Sequence, residues 1–263
     1  MSSIISVINQ KGGVGKTTSV INLATSLSIL GQNNLIIDLD PQGNATTGLG
    51  ISINERNRNI YKLLIDQISL DEAIQKTKIK DLDIISSTVD LSGLELETAS
   101  DNSRAFLLKK IFNNNKNIIS KYDNIFIDCP PSLSLLTIIA LVSSNDLLVP
   151  LQTEFFALEG ITQLIKTIDR IKVNLNPKLN LRGILLTMFD KRNKLSSEVD
   201  KEARSYFKEK VYQTVIPRNV KLSEAPSHGL PCVIYDKSCS GSKAYFTLAQ
   251  EFKNTANNYG SAA

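Results

Sequence analysis

Residues 4–18 read Ile4-Ile-Ser-Val-Ile-Asn-Gln-Lys-Gly-Gly-Val-Gly-Lys-Thr-Thr18. The apolar, β-branched run Ile4–Ile8 has the pattern of a strand buried on both faces. Lys16–Leu30 follows with apolar residues at Val20, Leu23, Ala24, Leu27 and Leu30, a helical period, and Gly31 is a fitting stop. A glycine-rich turn between such a strand and such a helix points successive backbone N–H groups inward, where they cradle phosphate oxygens at the positive end of the helix. Gly12, Gly13, Val14 and Gly15 supply the turn. Lys16 then supplies a point charge for the β- and γ-phosphates, Thr17 a hydroxyl for Mg²⁺, and Thr18 a contact to the α-phosphate. The general pattern G-x-x-x-x-G-K-[ST] fails at its first position, which is Gln10. Lys11 stands beside it instead, a second lysine on the opposite lip of the loop.

Outward from the loop, strand and helix patterns alternate. Strands are expected at Leu35–Asp40, Leu82–Ile85, Asn124–Asp128, Asp146–Leu151, Arg182–Thr187 and Tyr212–Ile216. Helices are expected from a cap at Asn102 or Ser103 to about Ile119, and over Leu133–Val142, Gly160–Val173 and Ser242–Asn254. Ile51–Asp81 is the least regular stretch and reads as a surface excursion. The alternation predicts an α/β fold: a single P-loop NTPase domain spanning 1–263, with a mostly parallel twisted sheet and helices on both faces. Such sheets bind ligands beyond the carboxyl ends of their strands. Asn9-Gln10-Lys11, the pair Asp38 and Asp40, and Asp128 all follow strands and should share that rim. Asp128 has the position of a Mg²⁺-organising carboxylate. Strand alternation would set Asp38 and Asp40 on one side, one for a magnesium-bound water and the other to orient the attacking water.

Composition excludes several classes. The chain has 263 residues, 42% hydrophobic and 21% charged, in the range of ordinary globular domains. Its N-terminus lacks the basic and apolar regions of a signal peptide, and no apolar stretch reaches the ~20 residues of a membrane span. The tail Phe252–Ala263 is polar and does not read as an amphipathic membrane anchor. These features predict a cytoplasmic protein with no membrane partner. Cys129, Cys232 and Cys239 fit neither a disulfide framework nor a zinc site, and read as three reduced thiols. A single histidine, His228, excludes a histidine metal cluster from one chain. Charge is uneven: residues 1–150 hold 13 Lys/Arg against 15 Asp/Glu, and residues 151–263 hold 17 against 11. The second part thus carries an excess suited to a polyanion.

The segments NQKGGVGKTT (9–18), DLDPQGNATTGLG (38–50), IDCPPSL (127–133), VPLQTEFFALEG (149–160), LLTMFD (185–190) and VIPRNVKLSEAPSHG (215–229) together resemble the ParA/Soj-type partitioning ATPases. These lie within the deviant-Walker group that includes MinD and the nitrogenase iron protein. The resemblance implies ATP and Mg²⁺ as cofactors and an ATP-dependent homodimer that sandwiches two nucleotides. Lys11 matches the signature lysine that reaches the partner subunit's nucleotide, and Asp40 the catalytic aspartate. Asp38 matches its magnesium-linked neighbour and Asp128 the Walker B position. Pro217 and Asn219 match the loop against adenine. Arg192 and Arg218 fall at the positions that contact double-stranded DNA without sequence preference, with Lys191, Lys194 and Lys221 as neighbours. A ParB-like partner would stimulate hydrolysis, and the protein would be nucleoid-associated. The absence of an N-terminal DNA-binding extension points to the short, chromosomal type. Two other classes share the fold. A MinD-like membrane regulator needs an amphipathic C-terminal helix, and a cluster-bearing electron carrier needs two suitably placed cysteines.

Overall fold

Along each central strand, successive apolar side chains part into two sets, because a strand alternates its faces. Leu35, Ile37, Ile125, Ile127, Leu147, Val149, Ile184 and Leu186 enter one apolar layer. Val7, Ile36, Phe126, Leu148 and Leu185 enter the other. Helices must therefore cover both faces. In the computed structural model, which describes residues 2–260, the strands are β1 (Ser3–Val7), β2 (Asn34–Asp38), β3 (Gln75–Lys76), β4 (Leu82–Ile85), β5 (Asn124–Asp128), β6 (Asp146–Gln152) and β7 (Asn180–Thr187). They form one sheet in the order β3-β4-β2-β5-β1-β6-β7. All neighbours are parallel except the β3–β4 pair at the edge.

Between the strands run α1 (Lys16–Ile29), α2 (Asn44–Gly48), α3 (Ile60–Leu64), α4 (Leu70–Ala73), α5 (Leu94–Glu97), α6 (Leu107–Asn114), α7 (Lys116–Ile119) and α8 (Leu135–Ser143). Then come α9 (Ala157–Asn174), α10 (Lys194–Phe207), α11 (Val220–Glu224), α12 (Cys232–Tyr235) and α13 (Ser240–Gly260). On one face α1 presents Val20, Leu23, Ala24 and Leu27, and α13 presents Tyr245, Leu248, Ala249 and Phe252. On the other, α9 presents Ile161, Leu164, Ile168 and Ile171 at helical spacing. Each such side chain stabilises the fold by about 1.5–3 kcal/mol when fully buried.

The structure adds α10, for which no helix was expected, and departs from the sequence-based expectation in four further places. β2 ends at Asp38, and Asp40 lies in the turn beyond it. Tyr212–Ile216 is not a strand. Tyr212 N–H and Ile216 N–H donate to Ile184 and Leu186 carbonyls of β7, but the N–H groups between them, of Gln213 and Thr214, donate to the Glu251 carboxylate instead. A side chain thus interrupts the ladder. The expected helix from 102 or 103 to 119 is broken. Ser103 bonds Asp101 rather than capping, and at Asn115 the side-chain amide takes the Ile111 carbonyl between α6 and α7. Finally, Ile51–Asp81 is more than a surface excursion: Ile60, Leu63, Leu64, Leu70 and Ala73 are core residues. Residues 261–263 of the polar tail lie outside the described residues.

Candidate functional site

The rim forms because neighbouring strands end in register. Val7 and Asp38 are both partners of Asp128 across β5, so the phosphate loop and two carboxylates emerge side by side. The loop is shaped by left-handed glycines, Gly13 at φ 75° and Gly15 at φ 89°, a region that costs any other residue. Gly15 is the N-cap of α1. No side chain caps this helix end and no acidic residue stands in its first turn, so its positive end is left for an anion.

Two contacts fix the loop to the sheet. Asn9 donates its amide to the Pro150 carbonyl of β6 (2.7 Å) and accepts the Lys11 N–H (3.0 Å). Thr187, the last residue of β7, donates its hydroxyl to the Val14 carbonyl (2.8 Å). Lys16 is 7% exposed and folds back to donate to the Lys11 carbonyl at 3.1 Å. Burial pushes its pKa down, opposed by Asp128, Cys129 and Asp40. Lys11 lies on the outer lip, more than half exposed, and pairs with Glu154 in the loop between β6 and α9.

The carboxylates divide by environment. Asp38 is fully buried. Its Oδ2 accepts the Thr46 N–H (2.8 Å) and hydroxyl (2.7 Å), and its Oδ1 the Asp40 N–H (3.3 Å). It therefore holds the first turn of α2 as well as facing the rim. Burial is the main cause that raises its pKa to about 6, with the Thr46 bonds pulling the other way. Asp128 is also fully buried, and neither carboxylate oxygen has a hydrogen-bond partner. Burial, then Asp38 beside it, push its pKa well up, and the nearby Thr17 hydroxyl offsets only part of this. Asp40, 8% exposed, is oriented by the Gln42 N–H on its Oδ1 (3.0 Å). The strand alternation expected to align Asp38 with Asp40 does not apply. A turn closed by the Gly43 N–H on the Asp40 carbonyl aims Asp40 instead.

Pro217 and Asn219 reach the same region from far along the chain. With Gly15, Thr18, Thr187, Met188 and Tyr245 they line a cavity of about 130 Å³. Asn219 also caps α11, accepting the Lys221 N–H, and donates to the Ser240 hydroxyl (2.8 Å). Pro217 is shared with a neighbouring groove of about 540 Å³ lined by Asp190, Lys191, Arg192 and Arg218. Arg192 is forked onto Asp190 (3.1 and 3.0 Å) and stays highly exposed. Lys194 and Lys221 do not line this groove; they pair with Glu198 and Glu224 on their own helices. Thr46, Glu154 and Thr187 are the site residues that sequence reading missed, whereas it places Asn9 on the rim without a role. Those three act through contacts with residues elsewhere in the sequence, Asp38, Lys11 and Val14.

A family model described as an AAA domain matches residues 2–181. The chromosome partitioning protein ParA of Caulobacter vibrioides (strain NA1000 / CB15N) is 47% identical over 248 residues, 94% of this chain and 92% of its own length. The chromosome-partitioning ATPase Soj of Treponema pallidum is 46% identical over 251 residues, 95% of this chain and 97% of its own. Among solved structures, cobyrinic acid a,c-diamide synthase from Mycobacterium smegmatis with bound ATP analog and magnesium superposes with a TM-score of 0.83 at 30% identity. That match covers 95% of this chain and 93% of the other.

Proposed function

This chain belongs to the ParA/Soj family of chromosome-partitioning P-loop ATPases, and on that premise we propose that it is a nucleotide-controlled, DNA-binding dimer. Its cofactors are ATP and Mg²⁺. The observation that carries the proposal is the shared wall. Pro217 and Arg218 line both the cavity beside Gly15 and Thr18 and the groove that holds Arg192, so a nucleotide in the first would abut the wall of the second.

The uncapped start of α1 and the buried Lys16 hold the triphosphate. Thr17, Asp38 and Asp128 would hold the magnesium ion. The two orphaned oxygens of Asp128 fit that assignment, because a buried carboxylate without partners is stabilised by a cation. Bound there, the ion would neutralise charge on the phosphates. Asp40 orients the attacking water from its turn, and its partial exposure leaves the carboxylate reachable. Lys11 leaves Glu154 to meet the nucleotide of a second subunit, which ties dimerisation to the γ-phosphate. Arg192, Arg218 and Lys191 then hold DNA phosphates without reading sequence. The ATP-bound dimer is thereby nucleoid-associated, and a ParB-like partner accelerates hydrolysis, which releases it from DNA.

In α13, Tyr245, Leu248, Ala249 and Phe252 are buried in the core. No helix among the described residues is long and apolar enough to cross a membrane. The test is retention on a DNA column with ATP, with ADP and without nucleotide. ATP alone should retain the protein, and Lys16→Ala should lose that retention. Equal retention in all three conditions would refute the switch.

A further inference from the structure

Cys232 and Cys239 are seven residues apart, a spacing that by itself suggests no pair. The fold brings their sulfurs to 3.6 Å. The turn between them is built around Asp236, whose Oδ1 accepts the Ser238 N–H (3.0 Å), the Ser238 hydroxyl (2.7 Å) and the Cys239 N–H (3.1 Å). Ser242 completes the cluster. Its hydroxyl lies 3.3 Å from each sulfur, donating to Cys232 and accepting from Cys239, and its backbone N–H donates to the Cys239 sulfur at 3.4 Å. Both cysteines are free thiols. A disulfide needs the sulfurs only roughly 1.5 Å closer, a shift within reach of side-chain rotation.

We propose that Cys232 and Cys239 are a redox-responsive dithiol that closes to an intramolecular disulfide and, when closed, clasps the wall of the nucleotide cavity. The two sulfurs are unequal. Cys239 is partly exposed at the start of α13, whereas Cys232 is 1% exposed, and burial pushes its thiol up to about 11. Cys239 therefore meets an oxidant first. With a peroxide, the Cys239 thiolate attacks one oxygen; the O–O bond breaks, sulfenic acid forms and hydroxide leaves. The Cys232 sulfur then attacks the Cys239 sulfur, the S–O bond breaks, and the departing hydroxide takes the Cys232 proton. Two thiols and one hydrogen peroxide yield one disulfide and two waters. A dithiol reductant reverses it.

The mechanical consequence follows from the neighbours. α12 is tied to α1 by the Val233 N–H on the Asn22 side chain (3.2 Å). Cys232 lines the pocket that holds Thr17 and Thr18. Ser240, the residue after Cys239, bonds Asn219 on the wall of the cavity beside Gly15. A covalent link from Cys232 to Cys239 joins these two tethers beside the nucleotide site and stiffens the segment between α12 and α13 that backs its wall.

The full-length protein, reduced and desalted, is treated with hydrogen peroxide and digested with trypsin without reductant. Cleavage after Lys237 separates the two cysteines, so the disulfide appears as two joined peptides, one from each side of Lys237. The expected product is that pair in monomeric protein, lost on adding dithiothreitol and absent in Cys239→Ser, while Cys129→Ser still forms it. Release of a fluorescent ATP analogue, followed by stopped flow, should slow several-fold on oxidation and be unchanged by peroxide in Cys239→Ser. Sulfinic acid at Cys239, bridges only between molecules, or no reaction would overturn the dithiol. A disulfide that forms without slowing release would overturn the clasp.

Discussion

The Asp128 carboxylate is fully buried, faces Asp38 across the β2–β5 ladder and accepts no hydrogen bond. Leaving a buried polar group without a partner costs about 1–3 kcal/mol, and more when it is charged. This local cost matches the proposed role, since a cation and triphosphate beside Lys16 would remove it. Asp128→Asn should therefore raise the melting temperature of the nucleotide-free protein by roughly 2–8 °C, taking about 1–2 kcal/mol of relief at about 2–4 °C each. The same variant should lose most of the further rise that Mg-ATP produces in the parent. Differential scanning fluorimetry reads both, and a variant less stable without nucleotide would contradict this account. Asp38 differs by one feature. Thr46 answers its Oδ2 twice, so its burial already has structural compensation.

At the scale of elements, the stretch 51–81 shows where pattern reading fails. α3 has five residues and α4 four, less than two turns each, so no period can be counted. Their ends are nevertheless well capped. Asn59 accepts the Lys62 N–H, and Ser69 with Glu72 forms a reciprocal capping box. Ile60, fully buried in the layer shared with α8 and α9, tests whether these turns bear on stability. Ile60→Ala should cost about 2–5 kcal/mol, read as a lower midpoint in urea at unchanged slope. A loss under half a kilocalorie would return the segment to the surface. Glu251 makes the complementary point, since one side chain on α13 takes two N–H groups from 212–216 and so denies that segment a place in the sheet.

Across the whole molecule, a parallel sheet collects at one edge groups that lie far apart in sequence. The phosphate loop, Asp38 and Asp128 meet there by register, and Pro217, Arg218 and Asn219 arrive over β7. The basic excess of residues 151–263 is thereby drawn partly to one groove, though Lys194 and Lys221 are held by acidic partners elsewhere. Binding there is electrostatic, so its affinity should fall log-linearly with salt. Arg218→Ala should weaken binding to all sequences alike and reduce the slope by about one. Fluorescence anisotropy with two unrelated duplexes measures it. A loss confined to one sequence would argue for base reading and against the proposal.

The alternation of β1, β2, β4, β5, β6 and β7 with the longer helices α1, α8, α9 and α13, the position of the phosphate loop and the rim carrying Asp38 and Asp128 were legible in the sequence alone. Period-two and period-3.6 patterns are local, and glycines between a strand and a helix leave few conformations. Which side chains answer those groups was decided only by the tertiary structure. Thr46 on Asp38, Thr187 on the loop, Glu154 on Lys11 and Cys239 against Cys232 are pairings set by how layers pack and turns close. Hydrogen bonds and thiol contacts reach only a few ångströms, and distance in space between such residues is not written in their spacing along the chain.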